Sequence, residues 1–376
     1  MKRLTRSHQR PRRRVLPLVM LVALVVVGGA VGCRASQDRF ATETIAAIET
    51  PLETATNTPL GDFLMIDGDP VVAAWVPDPD GPIRYAMTTK RLYRRNEQDE
   101  WVPTETRADD RHILVDPVRP ERLFRGNHPA CSLENPEPIT FSKSVDGGNT
   151  WRAIPGGDNI RPLAIDPELG DVIYGSDCGL AISTDAGETW RDYYHAIGHT
   201  VVDALAVGER LLVLEISESG RGRLREINVT VPETPEMATR LVEAGQVFDL
   251  DADRERIIIG GVSGVIISMD GGETWTSSRV GLETVTIEEG QGVPPEESDE
   301  YPRMYGVLTV RLDPNDSDRI FAGTVRGLYI SQDDGVTWDV YEAVRLDRRI
   351  ENIQFGGGGN DLYLTTPEGV LVVPNP

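Results

Sequence analysis

Short runs of apolar and β-branched residues, separated by turn residues, recur along the chain after residue 60. One group of such runs consists of Leu163 to Ile165, Val172 to Tyr174 and Leu180 to Ile182. Runs of this length, bounded by Gly, Pro and Asp, are typical of short antiparallel strands. No helical periodicity is sustained after residue 40. The pattern therefore predicts an all-β fold.

A turn sequence, Ser-x-Asp-x-Gly-x-Thr-Trp, follows the third run in four of these groups, and we call each copy a box. Aspartate accepts hydrogen bonds from amides of its own turn, and glycine adopts a backbone angle that other residues resist. Threonine and tryptophan suit the start of the next strand. We therefore predict structural roles for the box residues. They are Asp146, Asp185, Asp270 and Asp333, with Trp151, Trp190, Trp275 and Trp338.

The box resembles the Asp-box, or BNR repeat, of sialidases, sortilin-type receptors, xyloglucanases and photosystem assembly factors. The resemblance extends over roughly residues 60–376 at the level of the repeats. It implies a β-propeller, in which the boxes lie on the face away from the ligand site. The boxes are then scaffold, and the ligand face is at the other end of the blades.

The spacing of the boxes gives a blade count. The box aspartates are separated by 39, 85 and 63 positions, which fits one blade, two blades, and one blade with an insertion. Degenerate blades are expected at 71–104 and at 201–232, where the turn from Ser217 to Gly222 takes the place of a box. The last unit lacks a fourth strand, which the run from Phe63 to Ile66 could supply. We predict a seven-bladed β-propeller of four-stranded antiparallel blades, with six or eight blades as the alternatives.

Residues 1–33 have the organisation of an export signal. Residues 1–14 hold seven basic and no acidic residues, and an apolar run from Val15 to Val31 follows. The end of this run, Ala-Val-Gly-Cys33, resembles a bacterial lipobox, which implies a lipid on Cys33. The protein would then be exported and anchored to the outer side of the cytoplasmic membrane or to the cell surface; an uncleaved membrane anchor is the alternative. Residues 34–59 predict a flexible tether, and 60–376 the propeller.

The two remaining cysteines, Cys131 and Cys178, fall between the second and third strands of neighbouring blades. Equivalent loops of adjacent blades lie side by side in a propeller, and export implies an oxidising compartment. We therefore predict a Cys131–Cys178 disulfide, with two unpaired thiols as the alternative.

The net charge of the chain is −22, and removing the seven basic residues of the signal takes it to −29. This charge argues against nucleic acid and against anionic membrane surfaces as partners. It would allow a cationic partner or Ca²⁺, and an ordinary solvated surface is the alternative.

Candidate ligand residues lie in the loops away from the boxes, of which the insertion at 287–304 is the longest. Alternation along the first strands adds two residues that either line the channel or pair with each other. The ligand-face candidates are Glu288, Glu289, Glu296, Glu297, Asp299, Glu300, Tyr301, Tyr305, His128, His195, Arg311 and Asp249. The glutamates lack the spacing of a known Ca²⁺ loop, so we predict no metal site and no cofactor, with Ca²⁺ left open.

These features predict a monomeric, membrane-tethered, extracytoplasmic binding or assembly module that recognises a protein or a glycan through one propeller face. The alternative is a secreted or surface glycoside hydrolase that uses paired carboxylates. The Arg-Ile-Pro segment of sialidases is not present in the sequence. No catalytic residue is predicted.

Overall fold

The computed structural model describes residues 61–78, 80–109, 111–129, 131, 137–194, 198–229, 239–286, 303–342, 344 and 348–376. These residues form β-strands, turns and loops, and they contain no helix. No helix that could cross a membrane is therefore found among them. The predicted signal, the predicted tether, His195 and residues 287–302 of the insertion lie outside the described residues.

The strands form seven blades in chain order. Two short strands, β1 (Asp62–Phe63) and β2 (Met65–Ile66), come first. Blade 1 contains β3 (Asp69–Trp75), β4 (Tyr85–Thr88), β5 (Arg91–Arg95) and β6 (Trp101–Arg107). Blade 2 contains β7 (His112–Val115), β8 (Leu123–Gly126), β9 (Ser142–Ser144) and β10 (Arg152–Ala153). Blade 3 contains β11 (Arg161–Ile165), β12 (Ile173–Ser176), β13 (Leu180–Ser183) and β14 (Arg191–Tyr194).

Blade 4 has the longest strands, β15 (His199–Val207), β16 (Arg210–Ser217), β17 (Gly222–Asn228) and β18 (Thr239–Ala244). Blade 5 contains β19 (Val247–Ala252), β20 (Ile257–Gly261), β21 (Gly264–Ser268) and β22 (Thr276–Ser278). A two-stranded ribbon, β23 (Val285–Thr286) with β24 (Arg303–Met304), flanks the insertion. Blade 6 contains β25 (Val307–Leu312), β26 (Ile320–Thr324), β27 (Leu328–Ser331) and β28 (Asp339–Val340). Blade 7 contains β29 (Asn352–Gly356), β30 (Asp361–Thr366) and β31 (Gly369–Pro374).

Strands from both ends of the described chain close the ring. β1 is the outermost strand of blade 7, where Asp62 pairs with Val372 and Phe63 with Leu371. This confirms the predicted source of the fourth strand. The next two residues of the predicted run, Met65 and Ile66, pair with β3 instead. Because blade 7 gains its outer strand from the start of the chain, the first and last blades are held together.

The first strands of successive blades lie side by side around a central channel. Side chains complete this ring where the chain returns to blade 1. The Gln354 amide of β29 donates to the Ala74 carbonyl of β3 at 2.6 Å and accepts from the Val76 amide at 3.1 Å. The Trp75 indole of β3 then donates to the Ile113 carbonyl of β7 at 3.2 Å. The predicted seven-bladed propeller is confirmed.

The prediction for the turn of blade 4 was wrong. Residues 217–222 join β16 to β17, the second and third strands, whereas a box joins the third strand to the fourth. The glycine-rich turn lies between two strand-like runs, so the sequence alone did not distinguish the two positions. The connection from β17 to β18 falls at 229–238, mostly outside the described residues.

The apolar core lies between the blades. Tyr174 and Leu180 of blade 3, for example, pack with Leu211 and Val213 of blade 4, and all four side chains are fully buried. Burial of one such aliphatic side chain stabilises the fold by about 1.5–3 kcal/mol. The apolar contacts that hold the propeller together therefore lie between the blades. The channel is not needed for this core and can carry polar groups.

Candidate functional site

The four boxes have the same hydrogen bonds. In the box of blade 3, the Ser183 hydroxyl accepts from the Gly187 amide at 2.8 Å and donates to Asp185 at 2.8 Å. The Asp185 carboxylate also accepts from the amide of Thr189 at 2.8 Å and from its hydroxyl at 2.6 Å. The other three boxes repeat these contacts within 0.1 Å. Each carboxylate thus organises its own turn.

These hydrogen bonds also affect ionisation. The Thr274 hydroxyl and amide, followed by the Ser268 hydroxyl, lower the pKa of Asp270 to about 2. The corresponding bonds from Thr337 lower the pKa of Asp333. Such groups remain ionised acceptors at neutral pH and are poorly suited to proton transfer.

The box tryptophans fix each blade to the preceding one. The Trp151 indole donates to Thr106 of blade 1, and the Trp338 indole donates to Ser278 of blade 5, both at 2.7 Å. Trp190 packs edge-on against Phe141 of blade 2 with ring centroids 5.1 Å apart. The boxes therefore act as connectors between blades, as a scaffold role requires.

A second scaffold element at the same end was missed by the sequence reasoning. In blades 2 and 6, the turn that joins the first strand to the second carries a buried aspartate paired with an arginine six residues later. Asp116 accepts from Arg122 at 2.5 Å, and Asp313 accepts from Arg319 at 2.7 Å. Both aspartates are buried. The pattern is visible in the sequence, because each aspartate is followed by proline and the arginine comes six residues after the aspartate.

The opposite end of the propeller holds the loops between second and third strands and the connections between blades. The starts of the first strands, such as His112, Arg161 and His199, lie at this end. Cys131 and Cys178 also lie here and form a disulfide, with a Cα–Cα distance of 5.7 Å, that joins blade 2 to blade 3. We call this end the loop face.

Asp249 and Arg311, two of the candidates, form an ion pair with Nη1 and Oδ2 2.5 Å apart. Arg311 Nη2 also donates to Asn352 at 3.1 Å, so the guanidinium connects blades 5, 6 and 7 along the channel. Asp249 Oδ2 accepts in addition from the Val310 amide at 2.9 Å. Of the two roles considered from the sequence, mutual pairing is the one observed.

Two further channel carboxylates were not identified from the sequence. Asp251 accepts from the Leu312 amide at 2.8 Å, so it supports β25 as Asp249 does. Asp203, on β15, accepts from the amide of Ala204 at 2.8 Å. Burial raises the pKa of Asp251 to about 6. Burial, with repulsion from Asp249, raises the pKa of Asp203 to about 7.

Arg161 is the first residue of β11, at the loop-face end of the channel. It donates to the Val202 carbonyl, and its Nε has no hydrogen-bond partner within the part of the chain that the structure describes. Burial lowers its pKa, against an opposing effect of Asp203. Burial, with a smaller effect of the Arg161 charge, lowers the pKa of His112 to about 4 and also lowers the pKa of His128. Both imidazoles are therefore neutral at pH 7.

Blade 4 contains a buried charged group of its own. Glu215 is completely buried, accepts from the Tyr194 hydroxyl of blade 3, and pairs with Arg223 and Arg225. The Arg225 guanidinium also lies 6.0 Å from the centre of the Tyr194 ring. This group connects blades 3 and 4 close to the loop face.

The structure brings together only some of the predicted ligand residues. His128 lies beside the disulfide, whereas Tyr305 is half-buried against the core between blades 5 and 6. His195 and the acidic residues of the insertion lie outside the described residues, as does Tyr301. The described candidate site is therefore the loop-face end of the channel, where Arg161, His128 and Asp203 are among the polar residues.

No family model matches the chain, and no curated protein matches it. Among solved structures, the chain is similar to the GH74 xyloglucanase from Xanthomonas campestris, with a TM-score of 0.52 and 16% identity. That match covers 81% of this chain and 52% of the xyloglucanase. It is also similar to YCF48 bound to D1 peptide, with a TM-score of 0.53 and 13% identity over 86% of this chain and 99% of the other. This chain therefore has the β-propeller fold of these two structures. It spans about half the length of the xyloglucanase, and identities this low show a common fold alone.

Proposed function

We propose that this protein is an exported, membrane-tethered binding module that recognises a protein segment or a glycan through its loop face. The observation that carries the proposal is that the channel carboxylates are bound to neighbouring strands. Asp249 and Asp251 accept backbone amides of β25, and Asp249 also holds Arg311. Carboxylates bound in this way support the neighbouring blade and are not free to act as a catalytic pair.

The groups left free for a ligand suit recognition. Near the mouth of the channel, Arg161 has a buried Nε that lacks a hydrogen-bond partner among the described residues, and the nearby His128 is neutral. Arginine can bind a carboxylate or the oxygen atoms of a sugar through a planar array of donors. The match to YCF48, which extends over 99% of that chain and whose structure contains a peptide, agrees with a propeller that binds an extended ligand.

The alternative function, glycoside hydrolysis, is favoured by one observation. Asp203 has a raised pKa beside Asp249, and a carboxyl group of raised pKa beside a second carboxyl group is typical of a glycosidase. The similarity to a xyloglucanase agrees with this alternative, over about half of that enzyme.

The full-length protein in detergent should be screened against peptide arrays, glycan arrays and a panel of glycoside substrates. The proposal predicts a bound ligand without turnover. Arg161→Gln should weaken binding by about tenfold, the usual effect of losing one charged hydrogen bond. Arg152→Gln is the matched control, because Arg152 follows a box and its side chain is 59% exposed. Glycoside turnover that is lost in Asp203→Asn would establish the hydrolase and contradict the binding proposal.

A further inference from the structure

The disulfide on the loop face has a histidine beside it. His128 Nδ1 lies 3.9 Å from Cys131 Sγ and 3.8 Å from Cys178 Sγ. These three atoms lie within 4.8 Å of one another, and each belongs to a residue type that binds metal ions. Cys131 is exposed, whereas His128 and Cys178 are half-buried. The three residues come from two neighbouring blades, which hold them together independently of any metal.

We propose that reduction of the Cys131–Cys178 disulfide converts this cluster into a three-ligand site for Zn²⁺, formed by the two thiolates and His128. Thiolate and imidazole are the ligands that Zn²⁺ prefers in proteins. The exposed side of Cys131 leaves a fourth position open to water. The proposal concerns a metal site that the binding function above does not require.

The geometry requires little movement of the histidine. With Zn–S bonds of about 2.3 Å and a Zn–N bond of about 2.05 Å, tetrahedral angles place the nitrogen about 3.6 Å from each sulfur. The observed distances of 3.8 and 3.9 Å are already close to this value. The two sulfurs would have to separate to about 3.8 Å, which rotation of the exposed Cys131 side chain can provide.

The reduction step is an ordinary thiol–disulfide exchange. A dithiol reductant breaks the S–S bond and becomes oxidised to its own disulfide, while each cysteine sulfur gains one electron and one proton. Zn²⁺ then displaces the two thiol protons to solvent. His128 Nδ1 now contacts the Pro129 carbonyl at 2.9 Å. On binding Zn²⁺ it gives up that contact and carries its proton on Nε2 instead.

The Cys178 amide is held by the Ser176 hydroxyl at 3.2 Å, so the position of this cysteine does not depend on the disulfide alone.

The test uses the full-length protein with Cys33→Ser, so that Cys131 and Cys178 are its only cysteines. Oxidised and reduced samples, prepared without oxygen, are titrated with Zn²⁺ in the presence of a chromogenic chelator. We expect each reduced chain to take about one Zn²⁺ from the chelator. The oxidised chain should take none. Co²⁺ should give a thiolate charge-transfer band, and Zn²⁺ should raise the melting temperature of the reduced protein, because it binds the folded state.

His128→Ala should weaken Zn²⁺ binding to the reduced protein by at least about tenfold, the effect of losing one ligand or its orientation. His199→Ala, at the same end of the propeller, is the control and should leave the affinity unchanged. Equal Zn²⁺ binding by oxidised and reduced protein would overturn the proposal. So would an affinity that His128→Ala does not alter, or Zn²⁺ binding that persists unchanged in denaturing urea.

Discussion

Replacement of Glu215 by Gln should destabilise the propeller more than the loss of any exposed charge. The Glu215 side chain is completely buried, and those of Arg223 and Arg225 are 13% and 22% exposed. Glutamine keeps the size of the side chain and can still accept from Tyr194. It leaves the two guanidinium groups without their counter-charge, however, close to the interface between blades 3 and 4.

Breaking a buried ion pair by removing one partner costs about 3–5 kcal/mol. At about 2 °C per kcal/mol for a chain of this size, Glu215→Gln should lower the melting temperature by about 6–10 °C. Urea unfolding followed by tryptophan fluorescence should give the corresponding loss of free energy, with an unchanged dependence on urea concentration.

Glu226→Gln is the matched control on the next strand. Glu226 lies 3.5 Å from Arg210, and both side chains are more than a fifth exposed. Such a pair contributes less than about 1 kcal/mol, so the control should melt within about 2 °C of the wild type. If Glu215→Gln behaved like the control, the buried group would not stabilise the contact between blades 3 and 4 as reasoned here.

Three further changes have expected outcomes. Asp185→Ala removes the acceptor of three hydrogen bonds and should lower the unfolding free energy measured in urea by about 1–3 kcal/mol. The folded variant should still bind the ligand, and loss of binding would mean that the faces are wrongly assigned. The pKa of Asp203 is raised in the folded state, so the free energy that this residue contributes to folding should decrease as pH rises from about 4 to about 7. The decrease should be no more than about 1.4 kcal/mol per pH unit. Asp203→Asn should remove that part of the pH dependence. If the unfolding free energy of variant and wild type changed equally with pH, this prediction would be refuted. Cys33→Ser should release the protein from membranes or block processing of its precursor; unchanged attachment and size would indicate a spanning anchor instead.

Features that depend on local chemistry could be predicted from the sequence. Each box contains its donors and acceptors within eight residues, so its turn and its structural role follow from the residues themselves. The closing strand was also predictable, because the last unit had three strands and an apolar run beginning at Phe63 precedes the first blade. The disulfide followed from the equivalent positions of Cys131 and Cys178 in adjacent blades.

The channel residues could not be derived in this way. Prediction of the channel-facing residues relied on strict alternation, but the first strands contain β-bulges, for example at Leu163, Val202 and Phe248. A bulge adds one residue and shifts every later side chain relative to the alternation. Blade 4 also has no Asp-Pro turn from which the alternation can be counted, so Asp203 was missed. Glu215 was missed for another reason, since its partners depend on the register between β16 and β17 and on contact with the next blade.

The binding proposal depends most directly on which end of the propeller contacts the ligand. Hydrogen exchange should be measured on the full-length protein with and without a ligand recovered from the arrays. The account predicts slower amide exchange at the loop face, in residues 123–129, 176–180 and 198–203, with no change at the boxes. Protection confined to the boxes at 144–151 and 183–190 would contradict it, because those turns would then form the ligand site.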